Sequence, residues 1–188
     1  MATKEAILDA SMDLFAKNGF ESTSIDDLAR QAGMTKGAVY WHFSDKEELF
    51  RAILDRISAR WSMFVLSSVS PNDSPLIQVA SVFDGYSRLL GKYPETCLFM
   101  QRVLLEGDRR FSPKVGRLYS QAAKYVVRII DRGKSEGRFR SDVNPTLVGN
   151  LVIGTLRGAV QQHLVDDSLS VESLLEEAKA SIIGRISV

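Results

Sequence analysis

The stretch Ser24-Ile-Asp-Asp-Leu-Ala-Arg-Gln-Ala-Gly33, followed by Met34-Thr-Lys-Gly-Ala-Val-Tyr-Trp-His-Phe43, decides how this chain folds. Ser24 and Asp27 form an S-x-x-D capping pattern, in which the hydroxyl accepts from the amide three residues on and first-turn carboxylates suit the helix dipole. Gly33 closes that helix after about two turns, and Thr35 caps the next one. Residues 25–43 therefore have a helix–turn–helix layout. Val39 and Phe43 pack inward with Leu28 and Ala29, while Lys36 and Tyr40 form an adjacent stripe open to a partner.

Gly37 and Ala38 keep the start of the second helix slim, with Thr35, Lys36, Tyr40, Trp41 and His42 around it. That suits a helix whose N-terminus enters a DNA major groove, where base edges are read over short distances. Tyr40 and His42, bracketed by Lys36 and Lys46, can donate to phosphate oxygens, whereas Trp41 divides between aromatic packing and the partner-facing surface. Lys46 falls in the first turn of the following helix, where it opposes the dipole. An anion shared with the free backbone amides accounts for a cation in that place.

Outward from this segment, helical periodicity continues to both ends. Ile7, Ser11, Leu14 and Phe15 form the inner face of a first helix that stops near Lys17. Ser44-Asp45-Lys46-Glu47 reads as an S-x-x-E box opening a fourth helix that runs to about Ser68. Apolar helical segments follow at 76–91, 95–106, 113–136, 146–166 and 171–186, punctuated by Gly91, Pro94, Gly107, Pro113, Gly137 and Pro145. No run alternates as a strand does. The expectation is an all-α protein of about nine helices, with a module at 1–45 and a larger helical body at 46–188.

The 188 residues are 45% hydrophobic and 25% charged, which excludes disorder and a disulfide scaffold. With 24 Lys+Arg against 23 Asp+Glu the net charge is +1, and the first fifty residues are net acidic. DNA binding therefore rests on a few placed donors and not on a basic field, which predicts modest salt dependence. The single cysteine, Cys97, fits a reducing compartment, and no cysteine or histidine spacing calls for a metal or cofactor. The longest charge-free stretch, Val143 to Leu156, is too short and too broken by Pro145, Gly149 and Gly154 to span a membrane. A cytoplasmic protein is expected.

Gly19-Phe20, Thr23-Ser24-Ile25, Leu28-Ala29, Ala32-Gly33, the run Lys36 to Phe43 and Lys46-Glu47-Glu48-Leu49 together resemble the TetR family of bacterial transcriptional repressors, over roughly residues 4–53. The resemblance implies a homodimer whose first three helices bind double-stranded operator DNA and whose C-terminal domain binds a small inducer. By position, Thr35, Lys36, Gly37, Ala38 and Tyr40 correspond to the family's recognition helix. His42 and Lys46 correspond to its phosphate contacts, and Thr23 and Ser24 to contacts at the preceding helix start. The Tyr-Trp-His-Phe string is similar to that of multidrug-efflux regulators in particular.

Beyond residue 55 the reading comes from composition. Trp61, Phe64, Phe83, Tyr86, Phe99, Met100, Tyr119 and Tyr125 recur at helical spacing and suit a cavity for an apolar or aromatic inducer, with Arg102, Arg157 and Gln161 as polar determinants. Ordinary core is the alternative for each of them. Gly149, Gly154 and Gly158 thin one side of the 146–166 segment, and Leu174, Leu175, Ala178 and Ile182 stripe the last helix. Two such helices from each subunit would form a four-helix bundle, as in the family's dimers; the alternative is that they cap the monomer's own core. Control by a protein partner is a competing reading. So is an enzyme, for which His163 with Asp166 and Asp167, or Cys97 near Glu95, are the candidates, without the nucleophile–base–orienter set that chemistry requires.

Overall fold

The computed structural model describes residues 4–188. The helices are α1 (Lys4–Asn18), α2 (Ile25–Gln31), α3 (Lys36–His42), α4 (Lys46–Phe64), α5 (Pro75–Lys92), α6 (Pro94–Glu106), α7 (Ser112–Ser135), α8 (Pro145–Val165) and α9 (Val171–Ile186). Among the described residues there is no strand, and the one isolated bridge pairs Phe139 with Ser187. The all-α expectation holds.

Two local details differ from the sequence reading. The box opening α4 is shifted by one residue: the Glu48 amide donates to Asp45 Oδ1 (2.6 Å), and Glu48 Oε2 accepts from both the amide and the hydroxyl of Ser44 (2.7 Å each). Those Ser44 hydrogen bonds hold the Glu48 carboxyl below its usual range, and Glu47 is left to pair with Arg51. At its other end α4 stops at Phe64 and gives way to a 3₁₀ turn, Leu66–Ser68. There the Ser67 and Ser68 hydroxyls take the carbonyls of Met63 and Val65, competing with continuation of the helix.

The chain forms two compact units. The first takes the chain up to Ala59 together with Tyr93–Val115, so α6 and the start of α7 join the N-terminal helices. Its core holds Ile7, Met12 and Phe15 of α1, Leu28 of α2, Val39 of α3 and Leu49, Phe50, Ile53 and Leu54 of α4. Phe50 is the hub of an aromatic cluster, with ring centroids 5.3 Å from Phe15, 5.1 Å from Phe20, 5.0 Å from Phe99 and 4.0 Å from Phe111.

The second unit comprises Arg60–Lys92 and Gly116–Val188. α9 packs on α5 and α8 in it, and Lys179 ties α9 to Asp84 of α5 (2.8 Å). Val82, Phe83, Val126, Ile130, Phe139, Val152, Leu156, Leu175 and Ile182 fill its core. α8 lies close to α7 because Gly149 has no side chain: a Cβ there would meet Val127 Cγ2 at 2.6 Å.

Candidate nucleic-acid interface

The turn between α2 and α3 is built as the sequence reading expects. Ser24 caps α2, its Oγ accepting from the Asp27 amide (3.1 Å) while Asp27 Oδ2 takes the Ser24 amide (3.2 Å) and hydroxyl (2.6 Å). These bonds hold the Asp27 carboxyl below its usual range. Gly33 takes φ +65°, the left-handed conformation that lets the chain reverse after α2. Thr35 then caps α3, with Oγ1 accepting from the Ala38 amide at 3.2 Å. Val39 and Phe43 are buried, which fixes the rotation of α3 about its axis.

That rotation leaves Thr35, Lys36, Gly37, Tyr40 and Trp41 outside. Trp41 is 83% exposed and Tyr40 47%. The divided reading of Trp41 thus resolves toward the surface. Ser24 is exposed at the start of α2, and Ala38 and His42 are half-buried on α3.

Two of the DNA-contact expectations need correction. Thr23 is 1% exposed, and its hydroxyl is spent on the Gly19 carbonyl (2.7 Å), closing the α1–α2 turn instead of facing a ligand. The Lys46 ammonium donates to the carbonyls of Phe20 (2.7 Å) and Thr23 (2.9 Å) and lies over the Phe20 ring, 4.3 Å from its centroid. A shared external anion is therefore not needed to explain a cation at the start of α4. Carbonyls on its other side supply the negative potential.

Lys36 also has an internal partner, the exposed Asp26 of α2 at 2.8 Å, which holds the ammonium above its usual range. A duplex must win Lys36 from that carboxylate. Asp26→Asn is accordingly expected to strengthen DNA binding several-fold and to steepen the salt slope by up to about 0.9, one further phosphate contact. Fluorescence anisotropy at two salt concentrations checks this, and unchanged or weaker binding contradicts it.

Sequence reasoning missed the contacts that the 93–115 segment makes with this module. Glu106 of α6 accepts from the Phe20 amide (3.4 Å), and Arg110 pairs with Glu21, Asp108 and Glu47. Its guanidinium also lies 4.7 Å from the Phe20 ring centroid. Phe20, Glu21 and Glu47 are each more than sixty residues from their partner in this segment, so no local pattern could announce these contacts, while Asp108 pairs with Arg110 locally.

The expected ligand-lining set does not come together within one unit. Phe99 and Met100 belong to the first unit's core, and Arg102 is paired with Glu106 at 2.8 Å. Trp61, Phe64, Phe83, Tyr86, Tyr119, Tyr125, Arg157 and Gln161 belong to the second. There Trp61 and Tyr86 lie 6.1 Å apart, and Arg157 stands over the Tyr119 ring at 4.7 Å. Gln161 is exposed on α8.

The expected stripe on the last helix is the inner one. Leu175 and Ile182 are buried, and Leu174 and Ala178 are half-buried, because this face covers α5 and α8 of the same chain. The outer face of α9 carries Ser173, Glu177, Ala180 and Gly184. On α8, Gly149 is likewise consumed by α7, but Leu147 (68% exposed), Leu151 (51%), Gly154 and Gly158 lie along one open face. A cleft of about 410 Å³ beside the first turns of α8 is walled by Leu147, Leu151, Arg140 and Arg185.

His163 Nδ1 is hydrogen-bonded to the Leu169 carbonyl at 2.8 Å. Among the described residues no group of three or more His, Cys, Asp or Glu side chains could hold a metal ion, and no helix is long and apolar enough to cross a membrane.

Comparison with known proteins gives a consistent result. The profile described as "Bacterial regulatory proteins, tetR family" matches residues 7–53. The HTH-type transcriptional repressor BepR of Brucella suis is 31% identical over 159 residues, covering 83% of this chain and 68% of that protein. The HTH-type transcriptional repressor KstR2 of Rhodococcus jostii is 26% identical over 186 residues, covering 96% of this chain and 89% of its own length. The solved structure of the ketosteroid transcriptional regulator KstR2 of Mycobacterium tuberculosis superposes with a TM-score of 0.73 at 25% identity, covering 100% of this chain and 96% of that one.

Proposed function

The chain belongs to the tetR family of bacterial regulatory proteins and is a transcriptional repressor, and from that premise we propose that it binds a palindromic operator as a homodimer and is released by a small, largely apolar or aromatic inducer. The observation that carries the DNA part is the outer face of α3. Trp41 and Tyr40 are large aromatic side chains held in water beside Thr35, Lys36 and Gly37, on a helix whose opposite face is locked by Val39 and Phe43. In this reading Ser24, Thr35, Lys36, Gly37, Ala38, Tyr40, Trp41 and His42 form the DNA face of a module at residues 1–45, and residues 46–188 bind inducer and partner.

Dimerisation in this reading uses the open face of α8, from Leu147 and Leu151 to Gly154 and Gly158, with the small residues Ala180 and Gly184 on the outer face of α9. Small side chains permit close helix approach, and exposed leucines supply the apolar area. A fixed separation of two α3 helices matches half-sites one helical turn apart, ~34–36 Å, and ligand favouring another separation would release the operator. The apolar character of the inducer is supported by the aromatic side chains of the second unit and by the ketosteroid named for the KstR2 structure.

The test is selection of duplexes from a random pool by the full-length protein, followed by titration of the bound complex with steroids and other apolar ring compounds. Enrichment of an inverted repeat, released by such a compound, is the expected result. A pool that stays random removes the DNA reading, and release by small, highly charged metabolites alone removes the inducer reading.

A further inference from the structure

We propose that Lys46 is a positioning residue for DNA recognition: its ammonium holds the carbonyls of Phe20 and Thr23, fixing the turn from which α2 starts, and is not itself a phosphate contact. The proposal rests on the DNA-binding reading above and deepens it. Lys46 opens α4, yet its Nζ reaches back more than twenty residues to Phe20 O at 2.7 Å, Thr23 O at 2.9 Å and Glu21 O at 3.5 Å. An ammonium has three donors, and here each has a carbonyl to meet, with the Phe20 ring face alongside. Turning outward to a phosphate would strand part-buried carbonyls and leave the Phe20 ring to the Arg110 guanidinium alone.

The turn that Lys46 holds leads directly to the reading helix. Phe20 is anchored on its other side in the aromatic cluster, 5.7 Å from Phe15 and 4.9 Å from Phe111. Thr23 Oγ1 closes the same turn on the Gly19 carbonyl, and the next residue, Ser24, caps α2. Asp26, in the first turn of α2, then holds Lys36 at the start of α3. A displaced 20–23 segment therefore moves the first residue of α2, and α3 with it, while the phosphate-facing charges stay in number the same.

Two measurements on the full-length protein test this, using a duplex enriched by the wild type from a random pool and a scrambled duplex of the same composition. Lys46→Met is expected to lower the preference for the enriched duplex about tenfold, comparable to losing one base contact, with the slope of log affinity against log salt unchanged. In the wild type, acylation of lysines read by mass spectrometry is expected to label Lys46 slowly with or without DNA, and to label Lys36 readily unless DNA is bound. This second measurement needs no variant, so it decides the matter even where Lys46→Met fails to fold. A slope reduced by about 0.9 with equal loss on both duplexes overturns the proposal, as does an unchanged preference, or a Lys46 that is acylated when free and protected by DNA. A pool that enriches nothing overturns the DNA-binding reading and this proposal together, whereas the slope and labelling outcomes overturn this proposal alone.

Discussion

Phe50→Ala is expected to cost about 3–5 kcal/mol of unfolding free energy, read as a fall in the denaturant midpoint at constant slope. The ring is 2% exposed and meets four other phenylalanines, so truncation loses both its transfer free energy and several ring contacts. Its neighbours cannot easily close the void. Phe15 is fixed on a helix that packs along α6, Phe99 sits on α6 itself, and Phe111 enters from just before α7. Against a total stability of about 5–15 kcal/mol, such a loss removes a third or more of the margin for most domains. A loss under about 1 kcal/mol would mean that the cluster repacks, and would contradict the tight hub described here.

Leu151→Arg is expected to separate the subunits and to weaken binding to an inverted-repeat duplex by about a hundredfold or more, because the second half-site contact ceases to be intramolecular. Leu151 is half exposed and contributes little to its own chain's core, so the folded monomer survives the change. In the proposed dimer the same position is covered, and a guanidinium with no counter-charge there is costly. Light scattering checks the mass, and anisotropy checks the affinity and a salt slope near half the wild-type value. A variant that keeps a dimeric mass shows that α8 does not face the partner.

Sequence periodicity identified the helices because each buries one stripe and stops at a residue with a physical reason to stop, as Gly33 and Gly107 do. The caps were read almost correctly: α2 and α3 begin at Ser24 and Thr35, but Ser44 and Asp45 both suit an N-cap, and only the packed structure selects Asp45 for α4. The outer face of α3 was legible for the same reason, since Val39 and Phe43 determine by subtraction what is left outside.

What was not legible depends on contacts between distant residues. Lys46 looks like an electrostatic anomaly on its own helix and ceases to be one only when the 20–23 carbonyls are beside it. α9 has small or apolar residues on two faces, and periodicity cannot say which of them the chain's own α5 and α8 will claim. Aromatic spacing likewise could not separate Phe99, which completes the Phe50 cluster, from Tyr86 and Trp61 in the other unit.

The return of residues 93–115 to the N-terminal unit has a consequence for how the protein is made and how it can be recombined. Phe20 and Phe50 are synthesised early, but of the rings that cover them Phe99 leaves the ribosome only within α6 and Phe111 only after it. The helix–turn–helix therefore waits, with an apolar face open, until more than half of the chain has emerged. A chimera that transplants residues 1–45 onto another body carries Phe20 and Glu21 away from Phe111 and Arg110, so the portable DNA reader is the discontinuous unit and not the N-terminal segment.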